Sequence, residues 1–153
     1  MLREGDLIPN VDVELVDGRR IKLSDLKGKI VVVYFYPKAF TPGCTREAEA
    51  FNELYDEFKK LGAEVIGVSM DPKDRNAKFR EKLGLRFPVA SDMGGGACSA
   101  FGVLRGVGPI RYVDRVTFIV GRDGRIRKVI KGFWKSREHA VKALEEVRRL
   151  TSE

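Results

Sequence analysis

Ile30-Val-Val-Val-Tyr-Phe-Tyr36-Pro-Lys-Ala-Phe-Thr41-Pro-Gly-Cys44-Thr-Arg-Glu47 is the stretch that decides the fold. Its first seven residues are all β-branched or aromatic, the pattern of a strand buried on both faces. Pro37 stops that run. Pro42 suits the first turn of a helix, with Thr41 before it at the N-cap. Beyond it, Ala48, Phe51, Leu54, Tyr55, Phe58 and Leu61 recur at helical spacing, and Gly62 ends the helix. Cys44 is thus the third helical residue. Backbone N–H groups there lack partners and the helix dipole favours an anion, the setting of a reactive thiol. Lys38 and Arg46 add positive potential. A free cysteine can also be a small residue packing a helix start, but Thr, Pro and Gly around it would build a poor core.

Outward from this segment, the chain reads as alternating strands and helices. Val11 to Val16 and Arg20 to Leu23 alternate around the turn Asp17-Gly18, an N-terminal hairpin. Glu64 to Ser69 is a second buried strand. Asp71-Pro72 opens a helix with Phe79 and Leu83 inward, ended by Gly84. Phe87 to Ala90 is short and extended, and Gly94 to Gly96 precede a short helix, Ala97 to Phe101. The spacing predicts strands at Arg115 to Val120 and Arg125 to Lys131, joined at Asp123-Gly124. A final helix begins near Ser136, its apolar stripe formed by Ala140, Ala143, Leu144, Val147 and Leu150. Gly102 to Asp114, rich in glycine and proline, reads as a surface loop. The expected architecture is one α/β domain over residues 1–153, a mixed central β-sheet flanked by helices.

Composition narrows the function. At 153 residues and 43% hydrophobic, the chain can bury a core, and no stretch approaches the roughly 18 apolar residues of a membrane span. The N-terminus lacks the apolar region of a secretory signal, so the expectation is a cytoplasmic protein without a membrane role. Charged residues make up 33%, glutamine is absent and only Asn10, Asn52 and Asn76 carry side-chain amides of that type. That balance suits a thermophilic source, which a melting curve would test. The formal charge is +7, which raises nucleic-acid binding. The basic residues are nevertheless dispersed among acids, and the densest cluster, Arg122 to Lys131, is broken by Asp123 and fits no nucleic-acid motif. No nucleic-acid partner is expected. Two cysteines make neither a disulfide scaffold nor a four-cysteine zinc site, so no metal or other cofactor is expected. The only histidine, His139, reads as a surface residue of the last helix.

Phe35-Tyr-Pro-Lys-Ala-Phe-Thr-Pro-Gly-Cys-Thr-Arg-Glu47 resembles the peroxiredoxins, in their bacterioferritin comigratory protein (PrxQ-like) branch. Gly5 to Pro9, Leu23 to Lys29, Val65 to Ser69, Phe87 to Asp92 and Arg115 to Val120 are similar as well. The resemblance implies a thioredoxin-like fold and thiol-dependent reduction of hydrogen peroxide and organic hydroperoxides. By it, Cys44 is the peroxidatic cysteine, Thr41 hydrogen-bonds the peroxide, and Arg115 polarises it and holds the thiolate. The N–H groups of Gly43 and Cys44 complete the pocket, Pro37 shields the sulfur and Glu47 braces the arginine. A thioredoxin-like protein is the implied reductant, with the chain a monomer or weak dimer.

The chain departs from that branch at one position. Many members carry a resolving cysteine five residues after the peroxidatic one, where this chain has Glu49. Cys98, beside Gly94 to Gly96, is the remaining candidate for a transient disulfide with Cys44; the alternative is a bystander packed against Phe101 and Val103, with an outside thiol or a second subunit resolving the sulfenic acid. A thioredoxin-type reductase would need Cys-x-x-Cys, and Glu47 stands at its second cysteine. A redox-sensing binding protein would need the same reactive thiol, so turnover with a reductant separates it from an enzyme.

Overall fold

A computed structural model describes residues 1–153. The run after Gly28 forms β3 (Ile30–Phe35), all six residues buried. It is preceded by the hairpin β1 (Asp12–Leu15) and β2 (Arg20–Lys22), and followed by α1 (Pro42–Lys60) and β4 (Ala63–Ser69). Then come α2 (Lys73–Leu83), β5 (Val89–Ser91) and α3 (Gly96–Phe101). The chain continues through β6 (Leu104–Val107), β7 (Ile110–Val113), β8 (Val116–Val120), β9 (Ile126–Lys131) and α4 (Ser136–Thr151).

Seven strands form one sheet in the order β2-β1-β5-β4-β3-β8-β9. The pairs β3–β4 and β4–β5 are parallel; β1–β5, β3–β8 and β8–β9 are antiparallel. The continuous apolar character of β3 follows from its interior place, because successive side chains point to opposite, equally covered faces. Val32, Tyr34 and Tyr36 face the cluster formed with α1, α2 and α4. Val31, Val33 and Phe35 face the other, which contains α3 and the N-terminal hairpin. The helical stripes read from the sequence are the buried ones: Ala48, Phe51, Tyr55 and Phe58 in α1, and Ala140, Ala143, Leu144, Val147 and Leu150 in α4.

Two expectations are corrected. Gly102 to Asp114 is not an irregular loop, because β6 and β7 pair there as an antiparallel hairpin. Its glycines serve the hairpin: a Cβ on Gly106, at φ 109°, would lie 1.9 Å from the Ile110 carbonyl oxygen. His139 is not on the surface. It is fully buried, because it lies four residues before Ala143 on the inward face of α4.

Candidate active site

The site forms where β3 ends. Pro37 leaves the strand, and the next residues are pinned to the neighbouring strand–helix connection. The Ala39 N–H donates to Asp71 Oδ2 at 2.9 Å, and Arg75 Nη2 donates to the Ala39 carbonyl at 3.0 Å. Phe40 has a left-handed backbone, φ 68°, the only non-glycine residue that does. Its ring is held by the Arg75 guanidinium at 5.1 Å and by Phe79 at 5.3 Å. Backbone strain at such a position persists only when the surroundings over-determine it.

That loop delivers Thr41 to the N-cap. Its carbonyl accepts the first helical bond, from Thr45 N–H at 2.9 Å. The Thr41 hydroxyl does not cap the helix but donates to the Lys38 carbonyl at 2.7 Å. Its only proton is thereby used, and its lone pairs stay free to accept. Cys44 is buried, 1% exposed, in the first turn, where amides lack intrahelical acceptors.

Arg115 comes from a different part of the chain, one residue before β8, and is 2% exposed. All its guanidinium nitrogens are directed. Nη2 donates to Cys44 Sγ at 3.5 Å, Nη1 to Glu47 Oε1 at 2.6 Å, and Nε to the Phe133 carbonyl at 2.7 Å. The Phe133 ring lies 5.4 Å from the same guanidinium. Glu47 follows Cys44 by one helical turn, so both point inward from α1 toward the same arginine. Burial pushes the Glu47 carboxyl up to about 8, against the pull of Arg115. Gly43 lets the guanidinium approach: a Cβ there would lie 2.9 Å from Arg115 Nη2 and 3.3 Å from Ser136 Oγ.

A cleft of about 330 Å³ opens onto this group, lined by Pro37, Thr41, Gly43, Arg115, Phe133 and Trp134 among others. Of the residues singled out from the sequence, Pro37, Thr41, Gly43, Cys44, Glu47 and Arg115 therefore share one site. Cys98 does not. It is fully buried in the cluster on the opposite face of the sheet from Cys44, and both thiols are free. Its amide donates to Asp92 Oδ2 at 2.7 Å, and burial, with the Asp92 carboxylate beside it, pushes its thiol far above the ordinary range. Phe133 and Trp134 were not picked out from the sequence. They lie between elements, where no periodicity marks them.

Comparison with known proteins identifies the family. Residues 5–129 match the AhpC/TSA family. The chain is similar to Peroxiredoxin Bcp of Escherichia coli, with 38% identity over 144 residues and 92% of each chain covered. It is similar to the crystal structure of peroxidoxin BcpB from Mycobacterium tuberculosis, at 36% identity and a TM-score of 0.92 over 98% of this chain and 99% of that one. A structure of Xanthomonas campestris bacterioferritin comigratory protein, described for alkyl peroxide reduction, superposes with a TM-score of 0.88 at 31% identity, covering 95% and 97%. The chain shares its fold with these proteins and belongs to the AhpC/TSA family: it is a peroxiredoxin, a thiol-dependent peroxidase of thioredoxin-like fold.

Proposed function

We propose that Cys44 is the peroxidatic cysteine and reduces both hydrogen peroxide and organic hydroperoxides. The observation that carries this is the Arg115 Nη2 to Cys44 Sγ contact at 3.5 Å beside the cleft. The thiolate sulfur attacks the distal oxygen, the O–O bond breaks, and the sulfur loses two electrons to become a sulfenic acid. The leaving hydroxide or alkoxide takes a proton and departs as water or alcohol. Thr41 accepts the peroxide O–H, since its own proton is committed to Lys38. Arg115 and the Gly43 and Cys44 amides stabilise the charge that moves onto the leaving oxygen, which acts only in the transition state. Pro37 shields the sulfur, Glu47 orients the arginine, and the Phe133–Trp134 side of the cleft accommodates an organic tail.

In the second step the Cys98 thiol, released from its buried place, gives up its proton and attacks Cys44–SOH; the S–S bond forms, the S–O bond breaks, and the leaving hydroxide takes that proton to depart as water. A small dithiol protein of thioredoxin type then reduces it with two electrons and two protons. The placement of the two thiols on opposite faces of the sheet requires both α3 and the start of α1 to open first, since bridging needs Cα atoms within about 7 Å. The same placement favours a second reading, in which an external thiol resolves the sulfenic acid. The chain acts as one domain over residues 1–153, in the cytoplasm, as a monomer or weak dimer.

One equivalent of hydrogen peroxide followed by intact-mass measurement without reductant tests the cycle. Loss of two hydrogens mapped to Cys44 and Cys98 is expected. A stable gain of oxygen or a linked dimer would overturn the internal disulfide. Arg115→Ala is expected to slow peroxide reduction about 100- to 1,000-fold with the fold retained; near-normal turnover would remove its assigned role.

A further inference from the structure

His139 is the one buried histidine, and the peroxidase reading gives it no task. Its ring is held on both sides. Nε2 lies 3.0 Å from the Gly132 carbonyl oxygen, which can only accept, so Nε2 carries the proton. Nδ1 lies 2.8 Å from Thr117 Oγ1 and accepts from that hydroxyl. Burial keeps the ring neutral, its pKa pushed down to about 4. Arg115 and Lys142 reinforce that shift, and Glu138 opposes it.

Each of these contacts leads to Arg115. Gly132 is the residue before Phe133, whose carbonyl accepts the Arg115 Nε bond. Thr117 lies in β8, two residues after Arg115, so its bond to His139 holds α4 against the strand that Arg115 leads into. On the third side, Nδ1 faces Glu47 Oε2 at 3.7 Å. That oxygen is buried without a hydrogen-bond partner, while Oε1 is held by Arg115. Nothing on the histidine side donates to Glu47, so Arg115 is its only partner. His139 thus ties β8 to the β9–α4 connection and packs against Glu47 on the inner face of α1, at the three places from which the guanidinium is aimed.

We propose that His139 is a positioning residue for peroxide reduction, setting the Arg115 guanidinium against Cys44 through its bonds to Thr117 and to Gly132, the residue before Phe133. The inference rests on the peroxidatic roles given above to Cys44 and Arg115. It predicts an effect on the peroxide reaction that exceeds any effect on the thiol itself.

The test compares His139→Leu, His139→Gln and Arg115→Ala with the unaltered protein. Each is measured for melting temperature, for single-turnover reduction of hydrogen peroxide, and for Cys44 alkylation by iodoacetamide, which needs the thiol but no polarised O–O bond. His139→Leu is expected to lose about 10- to 100-fold in peroxide rate, because small displacements of a catalytic group are costly, while alkylation changes by less than about threefold. His139→Gln is expected to recover to within about threefold, since its amide donates to Gly132 and accepts from Thr117. A merely structural histidine would lower the melting temperature of both variants and leave the ratio of the two rates unmoved; that outcome overturns the proposal. Should Arg115→Ala slow the peroxide step while His139→Leu does not, only the positioning role falls. If Arg115→Ala also reacts normally, the catalytic reading falls and takes the inference with it. Should His139→Leu fail to fold, Thr117→Val decides by the same ratio, with a drop of about three- to tenfold expected and an unchanged ratio overturning the proposal.

Discussion

At the scale of single residues, the site depends on distances that leave little slack. Gly43 shows this without any positive φ: its hydrogen occupies space that a methyl group would take from Arg115 Nη2. Gly43→Ala is therefore expected to keep the fold and to slow peroxide reduction by about tenfold or more, read as single-turnover rate beside circular dichroism. Two buried groups also give the folded protein opposing pH dependences. The Glu47 carboxyl is raised from 4.5 to about 8, so the native state holds a proton that the unfolded chain has released. Its contribution is present below pH 4.5 and lost as pH rises through about 8. His139 is lowered from 6.5 to about 4, so its contribution is present above pH 6.5 and lost as pH falls through about 4. Of these two effects, that of Glu47 alone remains between pH 6.5 and about 8. Urea unfolding across that window is expected to show stability falling with pH, by at most about 1.4 kcal/mol per unit for one proton. Glu47→Gln is expected to flatten it; an unchanged slope would assign the effect elsewhere.

At the scale of elements, the proposed resolution of the oxidised thiol by Cys98 turns on α3. Asp92 accepts from the amides of Ala97 and Cys98, at 2.9 and 2.7 Å, and so caps the start of this six-residue helix. Removing such a cap costs about 1 kcal/mol of helix stability. If Cys98 reaches Cys44 by opening of α3, Asp92→Ala is expected to speed disulfide formation after peroxide by about fivefold, followed by quenched-flow mass analysis. An unchanged or slower rate would point to an external thiol. The elements also show where local patterns succeed and fail. The runs that became β3, α1 and α4 carry their own periodicity, so their burial could be read in advance. The β6–β7 hairpin could not, because Gly106, Gly108 and Pro109 have the composition of a loop. Its exposed Val107, Ile110 and Tyr112 supply no alternation of buried and open positions. His139 is within reach of the sequence: its position falls on the buried stripe of α4, although its polar residue type suggests the surface.

At the scale of the whole molecule, the sheet order is what brings the chemistry together. β8 lies directly beside β3, so the residue before β8 meets the helix that follows β3. The same neighbours carry Thr117 to His139 across the face covered by α4. No helix is long and apolar enough to cross a membrane. Sedimentation at micromolar concentration is expected to give a monomer, with some dimer as concentration rises; a stable larger assembly would contradict the proposed state. By itself, the sequence determined the strand–turn–helix unit from Ile30 to Lys60 and the thiol at its helix start, because hydrophobic period, proline stops and capping act over a few residues. It also carried the family resemblance. Only the tertiary structure decided that Arg115, 71 residues from Cys44, touches the sulfur, that Cys98 is sealed behind the opposite face of the sheet, and that His139 backs the site. Those facts depend on strand order and on which face each helix covers, long-range packing that no local pattern encodes.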